Sequence, residues 1–305
     1  MFEKLISWEM ALRGSIARTR AGKLIRAFLP HFRPSSFLLR TAGSEKCVEV
    51  NGRQMYVDLW DSAVAHHLFV SKTWEPEETK LVSSLLRPGD VFVDIGANLG
   101  YFTLLSSGLV GETGRVFAFE PAPRNFSLLQ KNVEVNRCDN VVCEQKAIAD
   151  REQMIELYLS SFNFGDHRTY ESHDDSDYNR GRARKRVQVH GITLDSYFPS
   201  GTHIDFIKMD IQGAEYFALH GMKRVLGDNP AVMLMMEFWP HGLHEAGVEP
   251  ARLLSELDDL GLLTYRAEPG NVVLFPRAEI LRIGGEDYVN LLLSRRTELL
   301  SPHLT

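Results

Sequence analysis

Two groups of residues in this chain have the types and spacing to do chemistry. The first is the segment Asp94-Ile95-Gly96-Ala97-Asn98-Leu99-Gly100. It follows the apolar run Val91-Phe92-Val93 and precedes residues with helical spacing, the setting a nucleotide-binding turn requires. Gly96 and Gly100 let the backbone come close to a ligand, and the helix N-terminus behind them offers free N–H groups. Dinucleotide turns usually read Gly-x-Gly-x-x-Gly against a pyrophosphate. Here the spacing is Gly-x-x-x-Gly with Asp94 in front, and a carboxylate there repels pyrophosphate but suits an ammonium or a sulfonium. Glu120 closes a second apolar run, where a carboxylate can take both hydroxyls of a ribose. Asp94, Gly96, Asn98, Gly100 and Glu120 are therefore the expected cofactor contacts.

The second group is Asp210, Glu237 and His167. Asp210 ends an apolar run and could orient or deprotonate an acceptor, or simply cap the helix that follows. Glu237 ends the next run and could pair with it, for acid–base work or for a hard divalent cation. Spacing places no third ligand, so no metal is expected. His167 lies in the polar cluster Asn163-Phe164-Gly165-Asp166-His167-Arg168 and titrates near neutrality, so it could serve as a base under a closing lid or be a solvated loop residue. Lys208, two positions before Asp210, faces the same side of a strand, where burial demands a carboxylate partner. His241 and His244 could share a helix face, although two histidines alone are more often surface residues than ligands. Tyr101 could line the cofactor or pack in the core, and Ala147 would add packing at most.

These residues need a scaffold of alternating strands and helices. Helical spacing over residues 77 to 87 stops at Pro88-Gly89, and strands are expected at 91–95, 115–119 and 141–145 with helices at 100–109 and 124–135 between them. Further strands are expected at 204–209 and 231–236, helices at about 213–226 and 250–260, and final strands at 262–267 and 271–275. This alternation predicts an α/β fold with a mostly parallel sheet covered by helices on both faces. Ahead of it, two alternating runs joined by Asn51-Gly52 predict a β-hairpin over 46–60. Residues 160 to 186 are polar and aperiodic, long enough for a substrate lid or a plain surface excursion.

With 44% hydrophobic residues, 24% charged residues and a net charge of −6, the chain has the composition of an ordinary globular protein, and nothing advertises nucleic acid. Three cysteines, irregularly placed, argue against a disulfide framework or a zinc site and for a cytoplasmic location. Residues 1–45 read as a basic helical extension without a continuous apolar stretch. Such a segment can rest on anionic lipid, touching a membrane only peripherally, or pack on the domain over residues 46–300.

With these stretches in hand, the sequence resembles the FkbM family of methyltransferases, which have the class I, Rossmann-like fold. The matching residues are Pro88-Gly89-Asp90 running into Val91–Gly100, Val116-Phe117-Ala118-Phe119-Glu120-Pro121, Thr193-Leu194-Asp195 and Ile207–Glu215, together with Trp74-Glu75-Pro76, Glu237-Phe238-Trp239-Pro240 and Asp287–Leu291. The family typically has Asp-Val-Glu-Gly-Ala-Glu after its fourth strand, and Gln212 here replaces the first Glu. The resemblance implies a doubly wound, mostly parallel seven-stranded sheet with an antiparallel last strand and S-adenosylmethionine as cofactor. It also implies methylation of a hydroxyl on a saccharide or natural-product small molecule. A nitrogen or protein acceptor would use the same cofactor site. A nicotinamide-dependent oxidoreductase is disfavoured by the glycine spacing and Asp94, and a non-catalytic module by the intact set of Asp94, Gly96 and Glu120.

Overall fold

The computed structural model describes residues 44–171, 184–268, 271–285 and 287–296. The basic extension and the middle of the polar insertion lie outside the described residues. The chain divides into two compact units.

Among the described residues, the first unit comprises 44–74, 159–166 and 184–185. Strands β1 (Glu45–Val50) and β2 (Arg53–Asp58) form an antiparallel hairpin, with Val50 opposite Arg53. Asn51 and Gly52 both have positive φ, 49° and 72°, the geometry a two-residue hairpin turn requires. Helix α1 (Val64–Ser71) follows. The Asp61 carboxylate accepts from the amides of Ala63, Ala65 and Phe164 at 2.8 to 3.1 Å, so one buried side chain ties the helix start to residues 159–166. The two flanks of the polar insertion are joined in this unit by an ion pair, Arg184 to Asp166 at 2.7 Å.

The second unit carries the main sheet. Its elements run α2 (Pro76–Leu85), β3 (Val91–Ile95), α3 (Tyr101–Val110), β4 (Arg115–Phe119), α4 (Pro123–Val135) and β5 (Val141–Glu144). An inserted three-stranded sheet follows, made of β6 (Ala147–Ile148), β7 (Gln153–Leu159) and β8 (Lys185–Ile192) in the order β6-β8-β7. Then come α5 (Leu194–Tyr197), β9 (Phe206–Met209), α6 (Glu215–His220), α7 (Lys223–Asp228) and β10 (Met233–Phe238). The unit ends with α8 (Pro240–Glu245), α9 (Pro250–Asp259), β11 (Leu263–Glu268), β12 (Asn271–Leu274), α10 (Arg277–Ile280) and β13 (Val289–Ser294).

The main sheet has eight strands in the order β12-β11-β13-β10-β9-β3-β4-β5. Strands β5, β4, β3, β9 and β10 are parallel, and β13 is antiparallel to both β10 and β11. Strands β3, β9 and β10 are mostly apolar and buried on both faces, each interrupted by one charged residue near its carboxyl end, Asp94, Lys208 and Glu237. The expected doubly wound, mostly parallel α/β sheet is present, with eight strands in place of seven. The difference is β13, which inserts between β10 and β11, while β11 and β12 occupy the two expected final strands. The expected helix at 213–226 is two short helices, broken where Gly221 presses on Ala149: a β-carbon there would stand 1.9 Å from the Ala149 carbonyl oxygen. From β3 the chain winds one way to β4 and β5, then returns to β9 on the other side. The topological switch therefore falls between β3 and β9, where open α/β sheets bind ligands at the strands' carboxyl ends.

Candidate active site

Strand register sets the site. Ile95 pairs with Phe119 on one side and with Met209 on the other, Met209 pairs with Met236, and Met236 with Leu291. One residue further toward the carboxyl ends of the parallel strands, the same transverse row reads Glu120, Gly96, Asp210, Glu237, Asn290. Glu237 and Asn290 are themselves register partners. Residues far apart in the chain thus meet because strands β4, β3, β9 and β10 end level with one another.

The turn after β3 is built by close approach. Gly96 has φ +81°, and both Gly96 and Ala97 donate their amides to the Phe119 carbonyl at 3.0 Å. Asn98 and Gly100 also have positive φ, 52° and 96°, and Gly100 caps the start of α3. A β-carbon on Gly100 would lie 2.7 Å from a Leu129 methyl. Glu120 is buried and spans this turn and the next: one oxygen accepts from the Asn98 amide at 2.8 Å and the other from the Ala122 amide at 2.8 Å. Burial pushes its carboxyl up to about 7, against the pull of those amides. Asp94, 1% exposed, accepts from the Thr103 hydroxyl at 2.6 Å and stands in register with Lys208 on β9. Its carboxyl is also raised by burial, with Lys208 and Thr103 opposing.

Lys208 is the hub of a carboxylate cluster. Its ammonium is 6% exposed, 3.5 Å from Asp210 Oδ2 and 4.6 Å from the centre of the Phe102 ring. Burial works against the charge, but Asp210, Glu75, Asp94 and Glu237 together hold the ammonium above its usual range. The partner that burial of Lys208 demands is thus found in several copies. Gln212 donates its side-chain amide to Asp210 Oδ1 at 2.8 Å and to Glu237 Oε2 at 3.0 Å. Burial raises the Glu237 carboxyl well above the ordinary range, reinforced by Asp210, Glu215 and Glu75. Glu75 and Glu215 are each pushed up to about 7 by burial, and each keeps one buried carboxylate oxygen without a hydrogen-bond partner among the described residues.

The expected cofactor contacts Asp94, Gly96, Asn98, Gly100 and Glu120 lie together at this strand edge, and Asp210 and Glu237 adjoin them. Glu237 lies one residue inside β10, which runs to Phe238 through its pairing with Val289. The polar segment at His167 touches the cluster's neighbours through the two residues that flank Thr169. Arg168 stacks on Trp239, 4.8 Å from the ring centre, and the Tyr170 hydroxyl donates to the Gln212 carbonyl at 2.7 Å. Tyr101 is buried with its hydroxyl 3.0 Å from that of Thr79. His244 is an exposed partner of Glu249, and among the described residues no group of three His, Cys, Asp or Glu side chains is arranged to hold a metal ion.

Two members of the cluster escape sequence reasoning. Glu75 sits in Trp74-Glu75-Pro76 at a helix start, where its side chain would be expected to cap the helix. It makes no capping bond and adopts a left-handed conformation, φ 42°. Gln212 carries the second signal: a non-glycine residue at φ 54° in a turn rich in acids is a strained position with a donor among acceptors.

Residues 94–261 match the model of the Methyltransferase FkbM domain. Methyltransferase 1 of Beauveria bassiana is 27% identical over 149 residues, 44% of this chain and 59% of that protein. The 31-O-demethyl-FK506 methyltransferase FkbM of Streptomyces tacrolimicus is 45% identical over 65 residues, 21% of this chain and 24% of that protein. The chain thus spans less than two thirds of either relative. Among solved structures, TYW2 of M. jannaschii in complex with AdoMet aligns over 82% of this chain and 84% of its own, at 14% identity and a TM-score of 0.40.

Proposed function

This chain belongs to the FkbM methyltransferase family, and from that premise we propose that it transfers a methyl group to a hydroxyl of a saccharide or natural-product acceptor. The cofactor of the family is S-adenosylmethionine, which when bound supplies a methyl group on a cationic sulfur.

The residues fit that group. Gly96 lets the turn press directly on the backbone of Asp210, where a β-carbon would collide, and so brings the turn and the end of β9 together at the strand edge. Glu120 accepts the Asn98 and Ala122 amides, one on each oxygen, and a further bond from the Asn125 side chain, which fixes the carboxylate at the turn where it can meet a ribose hydroxyl. Four buried or half-buried carboxyl groups, Asp94, Asp210, Glu75 and Glu237, act on the ammonium of Lys208, a balance that welcomes a cation and opposes pyrophosphate. In this reading Asp94, Gly96, Asn98, Gly100 and Glu120 hold the cofactor.

On the acceptor side the chain must align a hydroxyl, exclude water and take its proton. Asp210 has a donor on each oxygen, Gln212 on one and Lys208 on the other, and so orients its surroundings. Glu237 has one oxygen bound by Gln212 and a proton affinity raised by burial, the properties of a general base. His167, beside Arg168, is proposed to serve the acceptor from the insertion. The observation that carries the reading is the single row of Glu120, Gly96, Asp210 and Glu237, which sets ribose anchor, cofactor turn and base side by side. A hydroxyl acceptor is further supported by the name of the Streptomyces tacrolimicus relative.

The test is incubation of the full chain with methyl-labelled S-adenosylmethionine and pools of glycans and polyhydroxylated metabolites. Label in methyl ethers supports the proposal, and label confined to nitrogen or to protein overturns the hydroxyl assignment.

A further inference from the structure

The turn after β9 holds Gln212 in a left-handed conformation and pins it from two sides. Its carbonyl accepts from Tyr170, and the next residue, Gly213, is so tightly packed that a β-carbon would stand 2.5 Å from the Gly242 carbonyl oxygen and 2.8 Å from the Tyr170 hydroxyl. The side chain then lies between two carboxylates. Both contacts are to carboxylate oxygens, so the amide end facing them must be the nitrogen; a carbonyl oxygen there would meet two acceptors. Its two hydrogens are used one on each partner.

Both contacted oxygens, Asp210 Oδ1 and Glu237 Oε2, are thereby acceptors. The second oxygen of Asp210 faces Lys208. Among the described residues no hydrogen bond reaches the second oxygen of Glu237, Oε1. The groups around Glu237 are Asp210 and Lys208 from β9 and the residue after it, Glu215 from α6, Glu75 before α2, and Tyr288 and Asn290 from the β13 side, with Asn290 donating to Glu78. Three of these are carboxyl groups against one ammonium, so the strand ends bring acidic groups together and Gln212 answers them with a donor that adds no charge.

We infer that Gln212 is the positioning residue for the proton transfer: its amide donates to Oδ1 of Asp210 and to Oε2 of Glu237, fixing both carboxyl groups and leaving Oε1 of Glu237 as the oxygen that takes the acceptor's proton. This rests on the reading of Glu237 as the base. The proton of the acceptor O–H would pass to Oε1 of Glu237, leaving its bonding electron pair on the oxygen; bound S-adenosylmethionine would supply the methyl group, its sulfur keeping the electron pair of the broken carbon–sulfur bond. A glutamate at position 212, usual in the resembling family, supplies no such neutral double donor.

The experiment needs no acceptor: a pH titration of glutamate side-chain carboxyl carbons, labelled with 13C, by nuclear magnetic resonance on the full chain. Wild type, Gln212→Met, Gln212→Gly and Glu237→Gln are compared, the last identifying the Glu237 signal by its loss. Methionine keeps the length without the donor, and glycine removes it while relaxing the positive φ. The Glu237 midpoint is expected to rise by about one pH unit in both Gln212 variants, since a hydrogen bond to the charged form is lost. An unchanged midpoint in both overturns the role of Gln212 while leaving Glu237 as base. A Glu237 signal that does not titrate in wild type overturns both.

Discussion

The β-carbon that Gly96 lacks would stand 2.0 Å from the carbonyl oxygen of Asp210. The proposed cofactor turn and the proposed acceptor side are thus in backbone contact at the switch between β3 and β9. A methyl at Gly96 has nowhere to go, because the neighbour is backbone and φ is +81°.

Gly96→Ala is therefore expected to lower stability by about 1–3 kcal/mol through overpacking and to abolish cofactor binding together with it. Denaturant unfolding and calorimetry read the two effects; a variant that binds S-adenosylmethionine like wild type contradicts the close approach.

Once an acceptor is identified, Glu237→Gln is expected to slow transfer by about 100-fold or more with cofactor affinity little changed, the signature of a lost base. Asp210→Asn removes the ion partner of Lys208 and should weaken both transfer and folding. His167→Ala should slow transfer without loosening the cofactor. Turnover of Glu237→Gln equal to wild type would remove Glu237 from the mechanism.

Stability should depend on pH in an unusual direction. Glu75, Glu120 and Glu215 sit at about 7 in the fold against an ordinary 4.5, chiefly because they are buried. Between those values the folded chain binds more protons than the unfolded chain, so stability is full below the ordinary value and is lost as pH rises through the folded one. Thermal unfolding of the cofactor-free protein should therefore occur at a higher temperature at about pH 5 than at about pH 8. A Tm that rises over that interval contradicts the buried placement of these carboxylates.

Cation binding beside the same groups should draw their protons off. Calorimetric titration with S-adenosylmethionine at about pH 6.5, in buffers of different ionisation enthalpy, is expected to show net proton release. Proton uptake, or none, would contradict it.

The cofactor turn was legible in sequence because its signals are local: an apolar strand, a carboxylate, two glycines and a helix start lie within Val91 to Gly100. Glu120, Asp210 and Glu237 were legible as ends of apolar runs, since a parallel sheet puts its site there. What stayed hidden depends on pairing between distant segments. Strand β13 slips between β10 and β11, and nothing local in Val289–Ser294 tells a sheet interior from a short buried helix. The three-stranded insert from Ala147 to Ile192 was hidden by the polar stretch that interrupts it. Glu75 joins the cluster from before α2, and Gln212 stood out in the sequence only as a departure from the glutamate usual in the resembling family, because only the folded turn shows its amide between two carboxylates.

The most direct test of the account is calorimetric binding of S-adenosylmethionine and of a nicotinamide dinucleotide to the wild-type chain and to Glu120→Ala. Wild type should bind S-adenosylmethionine and not the dinucleotide. The variant should bind about 100-fold more weakly, having lost two charge-assisted hydrogen bonds to the ribose. It should also be less stable, because the Asn98 and Ala122 amides lose their acceptor. Dinucleotide binding by wild type, or equal S-adenosylmethionine affinity in the two proteins, would contradict the account.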